Sequence, residues 1–480
     1  MTSLKPKSVK LNLILNAIRL FMGMALPVFV FPYVSRILGP SNIGKVDFAT
    51  SIVNYFVLFA ALGIPTYGIR EVAKVREDKE LLSKTVFELI LILVVTNFLL
   101  TTLYFLMFFL SPIMKDEKLL YLVIFPSILL NSFCFDWFYI GIEDQIFITI
   151  RYAIVKLLQI LLIFLFVNEL SDYVFYAGVL VGANGIAAVF NILRLRKYIS
   201  KMNLGSLEIY KHIKPILVIF VSIVAINIYL QLDVTMVGIF VGEKAVGLYT
   251  TANRIIRVII SIVTVIGSVM LPRLTNNIKN GQTEEYKKNL SISLNFILLL
   301  AVPFMFGTIA ISDQFIVFFA GESFFQASSS MKLLSPIILI VGLANFVGLQ
   351  ILYSNKKEWI YTLAVSIAAI INFVTNFIFI PVYHERGAVV GTIIAELTGL
   401  LIMSILGRSL LIKSSVLSLK LLGYPICGLL MFICMIFANM YFNSLIFTSL
   451  SGIFSYLCFI VIYYKISGVK FCLKNLLKFN

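Results

Sequence analysis

Long apolar stretches recur along all 480 residues of this chain and leave one class of fold open to it. A helix that crosses the hydrocarbon core of a bilayer needs about 20 mainly apolar residues. Fourteen stretches meet that requirement, at about 11–36, 46–69, 86–110, 119–140, 149–167, 173–193, 215–240, 247–271, 290–311, 331–353, 359–381, 387–407, 421–441 and 444–464. Hydrophobic residues make up 60% of the chain, against roughly 45–50% in soluble domains. The sequence therefore predicts an all-α integral membrane protein with about 14 transmembrane helices.

The connections between these stretches are too short to hold a soluble domain. The longest, at about 194–214, has some twenty residues. Catalysis in an extramembrane domain is therefore excluded, and we expect a protein that is not an enzyme. The five cysteines form no CxxC pair, so the sequence signals neither a zinc site nor a disulfide framework. We expect no catalytic residues, no metal site and no bound cofactor.

The distribution of Lys and Arg residues indicates how the chain is oriented in the membrane. The net charge of +16 would suggest nucleic acid on a soluble chain, but cytoplasmic loops of membrane proteins are rich in Lys and Arg. We therefore expect no nucleic-acid partner. Of the 39 basic residues, 28 fall in the N-terminal tail, the C-terminal tail and every second loop, 7 fall on the opposite side, and 4 lie inside spans. This bias supports an even number of spans and predicts that both termini are cytoplasmic.

An internal repeat at an offset of 203 residues indicates two lobes. The segment from Leu38 to Gly44 resembles the segment from Val241 to Gly247, and Arg70 matches Arg273. Six helices separate the copies, so both enter the membrane in the same direction, as in parallel repeats. The predicted organisation is an N-lobe of helices 1–6 (residues 1–205), a C-lobe of helices 7–12 (206–412), and helices 13–14 with a cytoplasmic tail (413–480).

One segment approximates a phosphate-binding loop. Gly39 to Val46 nearly matches GxxxxGK[ST], but Val46 replaces the hydroxyl that would bind magnesium. We interpret it as a tight turn between helices, and ATP-driven transport by this chain alone is not expected.

Charged residues inside spans are the candidate site residues, because each costs about 2.5–3.5 kcal/mol at the bilayer centre and usually faces a protein interior or a wet cavity. Arg254 and Arg257 share one helix face, and Arg19 lies in the first helix. Guanidinium groups match phosphate in a bidentate manner. The functional interpretation is a cationic cavity between the lobes for an anionic, phosphate-bearing substrate.

Each of these charges has a structural alternative. Arg19 and Lys156 lie close enough to helix ends to extend toward the interface, and so do Glu88 and Asp136. Asp233 is a candidate coupling or gating charge, or a permanent partner of Arg254 or Arg257.

Two further carboxylates complete the candidate set. Glu396 either carries a proton or hydrogen-bonds a neighbouring helix. Asp47, like Lys156, is a candidate cavity charge.

Several motifs together resemble bacterial polysaccharide flippases, the Wzx-type exporters of O-antigen and capsule repeat units. The segments are Pro32–Gly44, Leu62–Glu71, Asp136–Glu143, Leu232–Gly238, Val246–Tyr249 and Leu271–Leu274. Their order and spacing over roughly residues 10–410 carry the resemblance.

The resemblance implies the fold of the multidrug/oligosaccharidyl-lipid/polysaccharide exporter superfamily. That fold has two six-helix lobes in a V-shaped, MATE-like arrangement, here with two extra C-terminal helices as in the related lipid II flippase. It implies transport of an undecaprenyl-diphosphate-linked oligosaccharide to the outer leaflet of the bacterial plasma membrane by alternating access, for O-antigen or capsule synthesis. It also implies diphosphate binding by Arg19, Arg254 and Arg257, proton or sodium coupling, and membrane lipids and polysaccharide polymerase machinery as partners.

Two other functions remain open from the sequence. A cation-coupled multidrug or small-solute antiporter of the same fold is the runner-up, although its cavity should be more acidic. A polymerase or ligase acting on the same glycan lipid is disfavoured because the chain has no large outer loop.

Overall fold

A computed structural model describes residues 9–200, 207–416 and 418–467 of the chain. All regular elements in these ranges are helical. The all-α prediction is confirmed, and the physical reason is that a backbone in lipid must satisfy its own hydrogen bonds within each segment. The chain forms two compact units, Met1–Gly238 and Ile239–Asn480. The predicted lobe boundaries after residues 205 and 412 stay a prediction.

The first unit contains eight complete helices and all but the last two residues of a ninth. In chain order these are α1 (Val9–Ala61), α2 (Ile64–Val75), α3 (Lys79–Leu110), α4 (Lys118–Ile124), α5 (Ser127–Ser132), α6 (Asp136–Gly141), α7 (Gln145–Phe166), α8 (Tyr173–Leu195) and α9 (Tyr210–Phe240). Its core gathers the aromatic side chains of α6, Trp137, Phe138 and Tyr139, against apolar residues of α2 and α3.

The second unit contains the remaining helices. They are α10 (Glu243–Lys279), α11 (Thr283–Ala320), α12 (Ala327–Leu334), α13 (Pro336–Asn345), a π-helix (Phe346–Leu352), α14 (Glu358–Tyr383), α15 (Glu385–Leu406), α16 (Arg408–Ser414), α17 (Gly423–Phe442) and α18 (Leu445–Ser467). The C-terminal pair packs on α11: Tyr424 Oη donates to Asn295 Oδ1 at 2.8 Å, and Tyr456 Oη donates to the Leu299 carbonyl at 3.1 Å.

Twelve stretches of the described chain are long and apolar enough to cross a membrane. Phe29, Phe98 and Phe109 are each more than 70% exposed, as expected where lipid is the solvent. The first stretch, Ile14–Val75, is 62 residues long, well beyond the length of a single crossing. In α9, the apolar part Gln231–Phe240 is shorter than a full span. The number fourteen therefore stays a prediction.

Two glycines at equivalent positions of the sequence repeat have similar backbone conformations. Gly39 lies inside α1 with φ 69° and ψ 174° and kinks it. Gly242 lies just before α10 with φ 115° and ψ 178°. Both φ values strain residues with a Cβ, so glycine is required. The phosphate-loop-like segment is thus the kink of a long helix, and the shared geometry supports the repeat.

Several predicted spans are interrupted rather than continuous. The predicted span 119–140 consists of α4, α5 and α6, because Pro126 lacks an amide hydrogen and Phe135 has φ 54°. The predicted span 46–69 breaks at Leu62 and Gly63, both with positive φ. Interruptions of this kind persist at membrane depth only where neighbouring groups satisfy the freed backbone.

Candidate functional site

A buried ion pair in the first unit lies at the break before α6. Arg151 of α7 donates to Asp136 of α6 through Nη1–Oδ1 at 2.7 Å and Nη2–Oδ2 at 3.2 Å. The Arg151 side chain is 4% exposed and that of Asp136 is 40% exposed. The two parallel bonds form the bidentate arrangement that makes guanidinium–carboxylate pairs strong and directional. The pair is therefore buried on its cationic side and open on its anionic side.

The break in the helix has its own hydrogen-bond partner. Asn191 of α8 donates through Nδ2 to Asp136 Oδ1 at 2.8 Å and to the freed carbonyl of Cys134. One amide thus satisfies the interrupted backbone and holds the carboxylate. The pair requires three elements, α6, α7 and α8, to meet at this point.

Arg19 of α1 belongs to the same charged region. Its Nη2 donates to Asn16 Oδ1 at 2.8 Å, and Asp136, Arg151 and Tyr152 all lie within electrostatic range of its guanidinium. Two guanidinium groups thus face one carboxylate. The prediction that Arg19 faces a charged protein interior is supported by this grouping, while its proposed diphosphate contact stays a prediction.

Lys156 continues the cationic character along α7. Its Nζ donates to Gln159 Oε1 at 2.8 Å and lies 5.7 Å from the centre of the Tyr152 ring. The Tyr152 hydroxyl reaches α1, since a Cβ on Gly23 would lie 2.9 Å from it. Lys156 therefore extends the cationic region of Arg19 and Arg151 along α7, through its contacts with Gln159 and Tyr152. We refer to Arg19, Asp136, Arg151 and Lys156 as the cationic cluster.

The two aspartates predicted for the cavity or for coupling are placed in helices that meet within the first unit. Asp233 of α9 is buried, at 6% exposure, and Asp47 of α1 is half-buried. Near Asp233, Thr235 Oγ1 donates to Ser51 Oγ of α1 at 3.1 Å. A Cβ on Gly238 would overlap the Phe48 ring. This end of α9 is therefore closely packed against the middle of α1.

The remaining predicted site residues lie in the second unit. Arg254 and Arg257 are half-buried and stand one turn apart on α10, as their spacing predicts. Glu396 of α15 is half-buried and lies within electrostatic range of Tyr361. Their diphosphate, coupling and gating roles stay predictions, as does an ion pair between Asp233 and either arginine.

A second buried polar network anchors the start of α9 to the first unit. Glu88 of α3 is 0% exposed and His212 is 3% exposed. Glu88 Oε2 lies 2.7 Å from His212 Nε2, and the Tyr67 hydroxyl lies 2.7 Å from His212 Nδ1. The Glu208 backbone amide donates to Glu88 Oε1 at 2.7 Å. The alternative in which Glu88 extends toward the interface does not hold, because Glu88 is fully buried and pairs with His212 of α9.

Lysines on the rim of this network complete it. Lys211 Nζ lies 3.1 Å from Glu88 Oε2, and Lys84 Nζ lies 3.4 Å from Glu208 Oε1. Hydrogen bonds to Lys211 and Lys84 lower the pKa of Glu208. Partial desolvation opposes the charge on Lys211, but Glu88 and Glu208 raise its pKa overall. Both shifts favour the charged forms and so the attached state of the segment.

Arg151 is a site residue that the sequence did not predict, because it lies at the edge of a predicted loop. It forms the most buried contact of the cationic cluster, and its partner lies 15 positions earlier. The one available signal was Asp136, an acidic residue inside a predicted span, because charges there usually face a protein interior or a wet cavity. Asp136 is brought to Arg151 by the break in the helix at Phe135, and no hydropathy pattern predicts that break.

Models of two known protein families match most of the chain. The sequence model described as "Polysaccharide biosynthesis protein" matches residues 10–278, and the MatE model matches residues 218–378. A candidate O-antigen transporter of Escherichia coli (strain K12) is 22% identical over 416 residues, which cover 84% of this chain and 98% of that protein.

Solved structures show the same fold. A lipid II flippase, MurJ, in an inward closed conformation superposes with a TM-score of 0.75 at 19% identity, covering 94% of this chain and 99% of that one. An inward-facing multidrug resistance MATE family transporter superposes with a TM-score of 0.63 at 12% identity, covering 84% and 98%. The predicted MATE-like membrane fold is confirmed.

Proposed function

The chain belongs to the polysaccharide biosynthesis protein family, within the multidrug/oligosaccharidyl-lipid/polysaccharide exporter superfamily, and on that premise we propose that it is a flippase for lipid-linked glycans. The proposed substrate is an undecaprenyl-diphosphate-linked oligosaccharide repeat unit used for O-antigen or capsule synthesis. The names of the similar proteins, a candidate O-antigen transporter and a lipid II flippase, support this class of substrate. The protein then acts as a transporter and not as an enzyme.

The observation that carries the proposal is the cationic cluster inside a membrane-spanning unit. Arg19, Arg151 and Lys156 expose the diphosphate of a substrate to three positive charges, whereas Asp136 supplies one negative charge. Asp136 already holds Arg151 in the bidentate geometry that a phosphate would use. Because Arg151 is 4% exposed and lies behind the partly exposed Asp136, a diphosphate reaches its guanidinium nitrogens only when the carboxylate is displaced, and in this proposal the ion pair opens when substrate binds.

Transport follows by alternating access of the two predicted lobes, residues 1–205 and 206–412. Arg254 and Arg257 of the second unit are further diphosphate-binding residues in this proposal. Asp233 or Glu396 supplies the charge that couples transport to a proton or a sodium ion. Both termini face the cytoplasm, as the Lys and Arg distribution indicates. The protein resides in the bacterial plasma membrane and delivers its substrate to polysaccharide polymerase machinery.

The first experiment measures the leaflet on which the lipid-linked oligosaccharide accumulates in cells that lack the protein. A membrane-impermeant enzyme that cleaves the glycan reports the outward-facing fraction. Accumulation that faces the cytoplasm is the expected result. Accumulation of single repeats that face outward would instead place the protein after translocation, and no accumulation would favour a cation-coupled antiporter of the same fold.

A second experiment tests the cluster itself. Arg19→Ala and Arg151→Ala should each reduce glycan export in complemented cells, and Arg196→Ala should not. Arg196 is a matched control because it is an exposed arginine of the same unit, at the end of α8. Normal export by both cluster variants, at expression equal to the control, would refute the site while leaving the flippase function to the leaflet assay.

A further inference from the structure

A polar cavity lies in the second unit where three helix connections meet. It has a volume of about 190 Å³, and its wall is formed by the end of α10, the start of α11, the turn after the π-helix, and α16. Since a water molecule takes up roughly 30 Å³ in the liquid, the cavity has room for a small headgroup. It is separate from the cationic cluster, which belongs to the first unit.

The inner wall contains a donor without an acceptor. Asn277, on the last turns of α10, is 6% exposed. Its Nδ2 has no hydrogen-bond partner among the described residues. Buried amide nitrogens are nearly always bonded, so this nitrogen leaves the wall one donor that an acceptor in the cavity can use.

Two lysines line the same cavity. Lys413 of α16 is exposed and has no ion pair or hydrogen bond with any part of the chain that the structure describes. Lys287 of α11 lies 3.0 Å from Glu284 Oε1, but the Glu284 side chain is 87% exposed. Exposed pairs of this kind are weak, so an anion in the cavity can displace Glu284. None of the lining residues is acidic.

The remaining wall is held in place by its own hydrogen bonds. Asn355 Nδ2 donates to the Tyr286 hydroxyl at 2.9 Å and to the Ile351 carbonyl at 2.8 Å. These bonds tie the first turns of α11 to the turn that follows the π-helix. The cavity is thus fixed before a ligand arrives, which reduces the entropy cost of binding.

The surroundings favour an anion as well. The three connections, 273–288, 355–358 and 408–420, contain nine Lys and Arg against three Asp and Glu. Thr283, another lining residue, begins the 38-residue α11. The amino end of a helix is electropositive and favours phosphate.

We propose that this cavity is a binding site for a phosphate group, held by Lys287, Lys413 and the Asn277 amide at the N-terminal end of α11. The site is additional to the transport pathway. The side on which it opens rests on the proposed orientation, which places it on the cytoplasmic face. The phosphate belongs either to an anionic phospholipid of that leaflet or to a soluble phosphate ester.

The test compares the full-length protein with a double variant, Lys287→Ala/Lys413→Ala. The matched control is Lys279→Ala/Lys288→Ala, which removes the same amount of charge from neighbouring helix ends without touching the cavity wall. Native mass spectrometry measures retained phosphatidylglycerol against phosphatidylcholine. In a separate arm, delipidated protein in detergent is titrated with glycerol 3-phosphate and followed by thermal unfolding.

We expect about tenfold weaker binding by the double variant in one of the two arms, which corresponds to the loss of one charge-assisted hydrogen bond. Selective loss of phosphatidylglycerol identifies a lipid headgroup, and selective loss of the glycerol 3-phosphate shift identifies a soluble ester. Asn277→Asp, which keeps the size of the side chain but adds a negative charge, should have the same effect. Equal binding by wild type, control and both cavity variants in both arms would overturn the site, whether or not the protein is a flippase.

Discussion

Replacement of Glu88 by leucine should destabilise the first unit, because it removes the acceptor at the centre of the buried network. Glu88 is fully buried and accepts from His212 Nε2 and from the Glu208 amide, each at 2.7 Å. Leucine fills a similar volume but accepts no hydrogen bond. The perturbation therefore isolates the polar contribution from packing.

The expected magnitude follows from which groups lose a partner. His212 is 3% exposed, so its orphaned nitrogen costs about 1–3 kcal/mol. Lys211 is 43% exposed, so the loss of its ion pair is screened by solvent and adds less than about 1 kcal/mol, and the exposed Glu208 side chain adds no appreciable part. A total of about 2–3 kcal/mol lowers the melting temperature of a unit of 150–250 residues by about 5–10 °C.

The assay uses the tryptophan in the core of the same unit. Trp137 is 3% exposed, whereas Trp359, the other tryptophan of the chain, lies in the second unit. Thermal unfolding followed by tryptophan fluorescence in a Trp359→Phe background therefore reports the first unit alone. The variant protein is compared with the same background.

Two control variants make the result specific. Glu88→Gln should lose less than half as much, because the amide oxygen still accepts from the Glu208 amide and the amide nitrogen can donate to the opposite tautomer of His212. Glu77→Leu, at an exposed position, should leave the melting temperature unchanged. An unchanged melting temperature for Glu88→Leu, or equal losses for the Gln and Leu variants, would refute the network as an anchor.

Three further outcomes are expected. Arg151→Met should reduce glycan export and lower the free energy of unfolding by about 3 kcal/mol or less, because it leaves the partly exposed Asp136 carboxylate without its partner. An export assay and an unfolding assay on the same variant would each show a loss. Gly238→Ala should lower the free energy of unfolding by about 1–3 kcal/mol, because the added Cβ would overlap a phenylalanine ring. Gly182→Ala, where nothing lies within 4 Å of the added Cβ, should be neutral or stabilising, and denaturation of the two variants would show the difference. The pKa of Glu208 is lowered in the folded state, so its stabilisation is present above its ordinary pKa of 4.5 and is lost as the pH falls below that value; the acid-induced fall in melting temperature should be smaller in Glu208→Gln than in wild type, and identical curves would contradict the anchoring role.

Much of the fold could be predicted because membrane insertion is a property of local segments. Each apolar stretch of about 20 residues is stable as a helix in lipid whatever its neighbours are. Gly39 and Gly242 likewise mark backbone positions that only glycine tolerates well, and the sequence showed both. The interruption at Phe135 was missed because a positive φ at a phenylalanine leaves no mark in the sequence, whereas the break at Leu62 adjoins Gly63, whose φ is also positive.

The candidate site was predictable in composition but not in partnership. The sequence indicated that charges such as Arg19, Lys156 and Asp136 either face a protein interior or extend to the interface, since a charge buried in lipid is costly. It did not indicate that Arg151 would pair with Asp136.

The sequence by itself thus determined the membrane class, the helical architecture and which charged residues lie inside the predicted spans. Tertiary structure alone decided that Glu88 and His212, 124 positions apart, satisfy each other, and that three separate connections enclose one phosphate-sized cavity. The physical reason is range. Hydropathy acts residue by residue along the chain, whereas a hydrogen bond or an ion pair exists only within about 3 Å, a distance that is fixed once all the helices have packed.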